Sequence, residues 1–134
     1  MFKCVNSQKL LIREVKMKIY LGHSSAFDYC NLLYQPLKNS FLWEKYAWIL
    51  PHDQQIDPVN SKNRIAECEW MVAEVSHPST GLGIELGWAN LLGCKILYIH
   101  QQDCLPSTSL KILSSDFFSY KDPKEMIQKL EAFF

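Results

Sequence analysis

Short apolar runs alternate along the chain with longer segments in which apolar residues recur at helical spacing. Runs with the length and composition of buried strands lie at residues 18–22, 47–50, 70–75, 94–100 and 117–120. Between them, apolar residues three or four positions apart predict helices at about residues 24–34, 61–68, 81–92 and 123–134. Strands that alternate with helices predict a mostly parallel sheet, because parallel neighbours need crossover connections.

The order of these elements predicts an α/β fold, a single-domain three-layer sandwich of the Rossmann or flavodoxin type with four to five strands. In the first helix we expect Ser24 or Ser25 to cap the N-terminus, because a serine hydroxyl accepts from unpaired amides there. Pro36 has no backbone N–H and is expected to kink or end that helix near Tyr34. Residues 37–40 should then be irregular.

The beginning of the chain has a different pattern from the rest. Residues 1–16 carry mixed charge and only weak apolar periodicity, whereas Met17 opens the first strand. We therefore expect residues 1–16 to be a poorly ordered or loosely docked extension and residues 17–134 to form the domain. Met17 is a plausible start of translation.

Composition limits the classes of partner. The 134 residues include 14 basic and 14 acidic side chains, so there is no net field to hold a nucleic-acid polymer or an anionic membrane. The five cysteines are far apart, and neither they nor the four histidines have the spacing of a zinc site, so no metal and no cofactor is expected. No apolar run reaches the roughly 18 residues of a membrane span. We expect a soluble, cytoplasmic protein.

The segment with the clearest chemistry is residues 70–100, where a strand, a turn with two glycines, an apolar helix and a second strand form a βαβ unit. Ligands bind beyond the carboxyl ends of such strands, because loop amides and helix N-termini converge there. The turn at residues 78–83 is neither a Walker loop nor a G-x-G-x-x-G dinucleotide motif. Its glycines either let an anion approach the backbone or serve only the packing of helix on sheet.

Glu85 is the only acid in the helix of this unit. Its neighbours Ile84, Leu86, Trp88 and Leu91 make the helix apolar nearly all round, so we expect the carboxyl group to be partly buried. Burial raises the proton affinity of a carboxylate and first-turn amides lower it. The balance can leave an ionised carboxylate, which a nucleophile requires.

Other polar side chains are predicted at the same edge of the sheet. His52 and Asp53 follow the second strand, and they are either ligand contacts or ordinary loop residues. His77, in the loop after the third strand, is either a ligand contact or an ordinary surface histidine. Glu74, one residue before the end of its strand, faces either the site or a buried partner.

Two segments resemble the nucleoside 2-deoxyribosyltransferase superfamily, which includes the 2′-deoxynucleoside 5′-monophosphate N-glycosidases. They are Tyr20-Leu-Gly-His-Ser24 and Ala73-Glu-Val-Ser-His-Pro-Ser-Thr-Gly-Leu-Gly-Ile-Glu-Leu-Gly87. The resemblance implies that Glu85 is the nucleophile of a covalent glycosyl-enzyme and that Tyr20 orients it. It also implies that Ser79 and Gly81 approach the 5′ side of the sugar, and that Ser109 reaches the neighbouring site of a homodimer.

Two positions depart from the pattern of the glycosidases. Ala26 stands where they have an arginine, and Ser61 stands where they have an aspartate before the third strand. With a shift of the loop, Asp53 or Asp57 would replace that aspartate and protonate the leaving base.

The sequence therefore predicts an enzyme that cleaves or transfers the N-glycosidic bond of 2′-deoxyribonucleosides or their 5′-monophosphates, both small-molecule substrates. The catalytic candidates are Glu85, Tyr20, Asp53 and Asp57. The substrate-binding candidates lie at strand ends, in the glycine turn and in the partner's loop, and they are Gly22, His23, Ser24, His52, Ser79, Gly81, Gly83 and Ser109. The alternatives are a non-catalytic nucleotide-binding or sensing module of the same fold and a purely structural domain.

Overall fold

The computed structural model describes residues 15–53 and 58–134. Its strands are β1 (Lys18–His23), β2 (Ala47–Ile49), β3 (Trp70–Glu74), β4 (Lys95–Gln101) and β5 (Phe117–Tyr120). Its α-helices are α1 (Gln35–Lys38), α2 (Phe41–Lys45), α3 (Pro58–Ala66), α4 (Thr80–Leu91) and α5 (Pro123–Phe133). Of the expected extension only residues 15 and 16 are described, and both are exposed. No described helix has the length and apolar character that crossing a membrane requires.

The five strands form one all-parallel sheet in the order β2-β1-β3-β4-β5, which confirms the predicted α/β sandwich. In the register of the central strands, Tyr20 lies level with Ile49 on one side and Met71 on the other. The chain passes from β1 to β2 on one side and then crosses over to β3 on the other side of β1, so the direction in which strands are added reverses. Ligands of open α/β sheets bind at such a reversal, outside the carboxyl ends of the strands.

Alternate residues of each strand supply two hydrophobic layers on opposite faces of the sheet. Ile19 and Leu21 belong to the layer that includes Met126 and Leu130 of α5. Tyr20 belongs to the other layer, which includes three buried residues of α4, namely Leu82, Leu86 and Ala89. The period of two along β1 therefore places Tyr20 on the face that α4 covers.

The first helical segment differs from the prediction at both ends. A π-helical turn, Cys30–Tyr34, leads directly into α1, so Pro36 lies inside the helical segment and the prediction that it ends the helix near Tyr34 is wrong. The Gln35 backbone N–H donates to the Cys30 carbonyl, five residues back. A wider turn just before a proline makes room for its ring, which clashes with the carbonyl of residue i−4 in a regular α-helix.

Capping by Ser24 or Ser25 is also wrong, because the helical segment begins later. The Ser24 hydroxyl accepts from the Ala26 backbone N–H at 3.1 Å and closes a local turn. The Asp28 carboxylate accepts from the Asn31 backbone N–H at 3.3 Å instead. The expectation that residues 37–40 are irregular is wrong for Leu37 and Lys38, which belong to α1, and holds for residues 39 and 40, which lie between α1 and α2.

Helix α4 is buried on one side only. A helix that is apolar on every side is expected to be buried on every side. Here, however, Ile84 is 50% exposed and Leu91 is 78% exposed. Gly93 ends the helical segment with φ of 77°, the left-handed conformation that glycine adopts without strain. The outer face of α4 is therefore apolar and open to solvent.

Gly22 sets the distance between β1 and the start of α4. A Cβ atom at this position would lie 2.4 Å from Met71 Cε and 2.9 Å from Leu82 Cδ1. The absence of a side chain lets the first turn of α4 approach the carboxyl end of β1 closely.

Candidate active site

Tyr20 and Glu85 meet on the face of the sheet that α4 covers. Tyr20 is wholly buried, and its hydroxyl donates a hydrogen bond to Glu85 Oε2. Glu85 lies in the second turn of α4 and is half-buried, so the predicted partial burial of this acid is confirmed. The start of α4 is fixed by Ser79, whose hydroxyl accepts from the Leu82 backbone N–H at 3.3 Å. Cap, helix and strand together hold the carboxylate against the phenol.

Burial dominates the electrostatics of this pair. The pKa of Glu85 is raised by desolvation, and the hydrogen bond from Tyr20 opposes this by favouring the carboxylate. The pKa of Tyr20 is raised by desolvation first and by the negative charge of Glu85 second. Tyr20 is therefore a permanent donor at physiological pH. Glu85 is a poorly solvated carboxyl group whose ionised form depends on that donor.

Glu85 opens into a cavity of about 210 Å³, the Glu85 cavity. It is lined by Pro51, His52, Ser61, Gly81, Ile84, Glu85 and Trp88. The buried lining residues Pro51 and Ser61 form its floor, whereas His52, Gly81 and Ile84 are exposed and form its rim. The cavity is smaller than the roughly 300–1,000 Å³ of most ligand pockets. A ligand of nucleoside size would place one end on the floor of the cavity, and its other end would extend past the rim.

Ser61 was not among the sequence-based site candidates, although gapless spacing makes it the equivalent of the aspartate that the resemblance implies. It is buried, lines the Glu85 cavity, and its side chain is hydrogen-bonded to Tyr20. The sequence signal that could have identified Ser61 was its spacing, without gaps, before β3.

Of the two acids predicted to protonate the leaving base, Asp53 lies outside the Glu85 cavity. Asp53 Oδ2 is 2.9 Å from Lys38 Nζ, in a partly exposed ion pair, and Asp53 does not line the Glu85 cavity. Asp57 lies outside the described residues. His52, the residue before Asp53, is on the cavity rim.

His23 and Ser24 are buried beside the site and do not line its cavity. His23 Nδ1 lies 2.8 Å from the Ser24 carbonyl oxygen, which only accepts, so Nδ1 carries the proton and Nε2 accepts from the Tyr34 hydroxyl at 2.6 Å. Tyr34 Oη in turn accepts from the His52 backbone N–H at 3.3 Å. Burial lowers the pKa of His23 to about 4, so its ring is neutral at physiological pH.

Ser79 and Gly83 face a different cavity from Glu85. This second cavity, of about 200 Å³, lies between the start of α4 and the loop after β4, and its lining includes Val75, His77, Ser79, Leu82, Gly83 and Leu110. Of the glycine-turn candidates, Gly81 lines the Glu85 cavity. Gly22 is packed between Met71 and Leu82. Contact of Ser79, Gly83 or Gly22 with a substrate stays a prediction.

Ser109 lies on an exposed 3₁₀ turn, Thr108–Ile112, and does not line the Glu85 cavity of its own chain. Its backbone N–H donates to the Ser107 hydroxyl at 3.3 Å. Its predicted role in a neighbouring subunit stays a prediction.

Glu74 faces a buried partner, one of the two possibilities left by the sequence. Its carboxylate accepts from the Tyr120 hydroxyl, from the Ser76 backbone N–H at 2.6 Å and from the Ser76 hydroxyl at 3.1 Å. Ser76 Oγ also accepts from the Gln101 backbone N–H at 2.7 Å. This network, the Glu74 network, ties the start of the β3–α4 loop to β4 and β5.

The described residues contain no group of three or more His, Cys, Asp or Glu side chains placed to hold a metal ion.

The fold that carries this site is also found in proteins of known structure. The CMP N-glycosidase BcmB of Clostridium botulinum has a TM-score of 0.63 and 25% sequence identity, over 85% of this chain and 98% of that chain. The resemblance to the nucleoside 2-deoxyribosyltransferase superfamily is confirmed. By sequence alone, no family model and no curated protein matches the chain.

Two further structures share the fold of this chain. The 2-deoxyribosyltransferase of Bacillus psychrosaccharolyticus has a TM-score of 0.63 at 15% identity, over 81% of this chain and 89% of that chain. A conserved protein of Enterococcus faecalis V583 has a TM-score of 0.64 at 10% identity, over 90% of this chain and 100% of that chain. Two of these three neighbours are thus named for chemistry at the N-glycosidic bond or the deoxyribosyl group.

Proposed function

We propose that this chain is an enzyme that cleaves or transfers the N-glycosidic bond of 2′-deoxyribonucleosides or their 5′-monophosphates through a covalent glycosyl-enzyme on Glu85. The observation that carries the proposal is the hydrogen bond from the buried Tyr20 to a carboxylate that opens into a cavity. A carboxylate with a purely structural role would not need to open into a cavity. The named chemistry of the structural neighbours supports the same conclusion.

In the first half-reaction Glu85 attacks C1′ of the sugar with the carboxylate oxygen that Tyr20 does not bind. The bond between C1′ and the base nitrogen breaks, and its electron pair leaves with the base. Water or a second base then attacks C1′ and releases the Glu85 carboxylate, as in retaining glycosidases. Tyr20 holds the carboxylate in one orientation and keeps it ionised despite burial.

The cavity favours a nucleoside over its 5′-monophosphate. Among the described residues that line it there is no Lys or Arg to pair with a phosphate, and phosphate sites commonly use such side chains. Gly81 in the first turn of α4 offers only backbone amides. We therefore assign deoxyribonucleosides as the preferred substrates.

The test is incubation with a panel of deoxynucleosides, their monophosphates and CMP, with and without a second free base, followed by chromatography for released base. Glu85→Ala should abolish release, whereas the exposed Glu67→Ala is the matched control and should retain it. With a slow 2-fluoro substrate, mass spectrometry should find a sugar adduct on the peptide that carries Glu85. An adduct on another residue, or full turnover by Glu85→Ala, would remove the mechanism.

One observation favours the alternative of a non-catalytic nucleotide-binding module. Ser61, the gapless equivalent of the aspartate that the resemblance implies, lines the cavity, and no aspartate is among its described lining residues. Binding of nucleosides in calorimetry without any release of base, and without a Glu85 adduct, would support that function instead.

We also propose a homodimer through the outer face of α4. The exposed apolar side chains Ile84 and Leu91 lie seven residues apart, on one side of the helix. In such a dimer, the resemblance implies that Ser109 reaches the site of the neighbouring subunit. Sedimentation velocity should find a dimer, and Leu91→Glu should shift it toward the monomer; an unchanged monomer for the unsubstituted chain would contradict this.

A further inference from the structure

We propose that His52 is the residue that protonates the leaving base and then accepts a proton from the incoming water or second base. The proposal rests on the proposed N-glycosidase or transferase function. It differs from the sequence-based expectation, in which Asp53 or Asp57 was the acid and His52 only a binding residue.

The composition of the cavity carries the proposal. Of its described lining residues, Glu85 carries the one carboxyl group and His52 the one imidazole ring, the two side-chain types that most often act as acid or base in catalysis. Glu85 belongs to α4, and His52 follows the carboxyl end of β2, so the two reach the cavity from different elements. One group attacks the sugar carbon, and the other is left to protonate the base.

The depth of the two residues matches these roles. Glu85 is half-buried above the wholly buried Tyr20, and His52 is exposed on the rim. A nucleoside whose sugar meets Glu85 must direct its base outward, because the cavity volume is about 210 Å³. The base nitrogen that takes up the proton then lies on the side of His52.

Asp53 is excluded from this role by its own contacts. Its carboxylate is paired with Lys38 at 2.9 Å and does not line the cavity.

His52 is held in place by a buried neighbour. Its backbone N–H donates to Tyr34 Oη, and its ring centroid lies 5.0 Å from that of His23 and 5.1 Å from that of Tyr29. His23 is neutral in its hydrogen-bonded tautomer and therefore adds no like charge beside a protonated His52. The supported ring keeps its orientation while it gains and loses a proton.

The proton balance closes over one turnover. In the first step the Glu85 oxygen forms a bond to C1′, the C1′–N bond breaks, and the proton of the His52 imidazolium passes to the base nitrogen. In the second step neutral His52 takes a proton from water or from the N–H of a second base as that atom bonds to C1′. The Glu85 carboxylate leaves, and both residues return to their initial states.

The test compares two substrates that differ in their need for a proton. The base of 2′-deoxyadenosine needs protonation to leave easily, whereas 7-methyl-2′-deoxyguanosine is already cationic and releases a neutral base. His52→Gln should lose about 10²- to 10⁴-fold in kcat/KM on deoxyadenosine. The same variant should stay within about threefold of the parent on the methylated substrate. His100→Gln, a histidine of β4 outside the cavity, is the matched control and should be unchanged on both substrates.

Four outcomes would overturn the assignment. An equal loss on both substrates would make His52 a structural or binding residue, and no loss on either would leave it without a role. A selective loss on deoxyadenosine in Asp53→Asn, absent from His52→Gln, would move the acid to Asp53. If the parent chain cleaves neither substrate and forms no adduct on Glu85, the proposed function fails, and this assignment with it.

Discussion

Removing the Tyr20 hydroxyl tests the electrostatic core of the site. Tyr20→Phe keeps the ring that fills the wholly buried position and deletes only the donor to Glu85 Oε2. The carboxyl group stays desolvated, so the contribution that raises its pKa remains while the one that lowers it is lost. The pKa of Glu85 should therefore rise further.

The size of the effect follows from the strength of the bond. A hydrogen bond to a charged group is worth about 1.5–3 kcal/mol, and about 1.4 kcal/mol corresponds to a tenfold change in an equilibrium constant. The acid dissociation constant of Glu85 should thus fall by about ten- to a hundredfold in the variant. The acidic limb of any activity that needs the carboxylate should move to higher pH by about one to two pH units.

The measurement is a pH titration of the ¹³C-labelled glutamate carboxyl signals by NMR, with Glu85 assigned by the signal lost in Glu85→Gln. It is matched by the pH profile of base release. Tyr98→Phe is the control, because Tyr98 is equally buried and its hydroxyl donates to the Leu110 carbonyl at 2.8 Å, away from Glu85. An unmoved Glu85 titration in Tyr20→Phe, or an equal movement in Tyr98→Phe, would refute the reasoning.

Three further predictions concern stability. Glu85→Gln should raise the Tm at pH 7. The pKa of Glu85 is higher in the folded chain than in the unfolded chain, so ionisation of this carboxyl group destabilises the fold as pH rises above its ordinary pKa. The increase in Tm should disappear below about pH 4, where the carboxyl group is protonated in both states. The pKa of His23 is lowered from 6.5 to about 4 in the folded chain, so the unfolded chain takes up the proton first as pH falls. The free energy of unfolding should therefore fall by up to about 3 kcal/mol between pH 6.5 and pH 4. Denaturant titrations of His23→Gln should show a flatter pH dependence, and an equally steep one would contradict this. Tyr120→Phe should cost about 2–4 kcal/mol by leaving the buried Glu74 with one donor fewer, and a loss under about 0.5 kcal/mol would show that the bond contributes little.

The sequence predicted the fold for a physical reason, whereas the pairing of Tyr20 with Glu85 was implied by the family resemblance. Strand periodicity alone places Tyr20 on the face opposite Ile19, and helical spacing places Glu85 in the second turn of the helix that covers that face. Both are local rules, and each element obeys them here. The hydrogen bond between the Tyr20 hydroxyl and the Glu85 carboxylate is a contact between distant residues, and the structure shows it.

The rest of the site depends on contacts between distant residues, which no local rule supplies. Asp53 and His52 are neighbours in sequence, and only the position of Lys38 decides that Asp53 turns to an ion pair while His52 lines the cavity. The Tyr34 contact with His52 joins residues 18 positions apart, and it depends on a π-helical turn that the sequence pattern did not predict. A proline inside a helical segment is read as a stop, because local patterns do not reveal a wider turn before it.

The Glu74 network links the order of synthesis to the completion of the site. Tyr120 comes from β5, the last strand of the sheet, and Glu74 and Ser76 shape the loop that leads to the cap of α4. During translation the described residues that line the Glu85 cavity emerge before Tyr120 does, and until then the buried Glu74 carboxylate lacks the Tyr120 hydroxyl among its donors. We expect a nascent chain to carry a loosely formed site until β5 has joined the sheet.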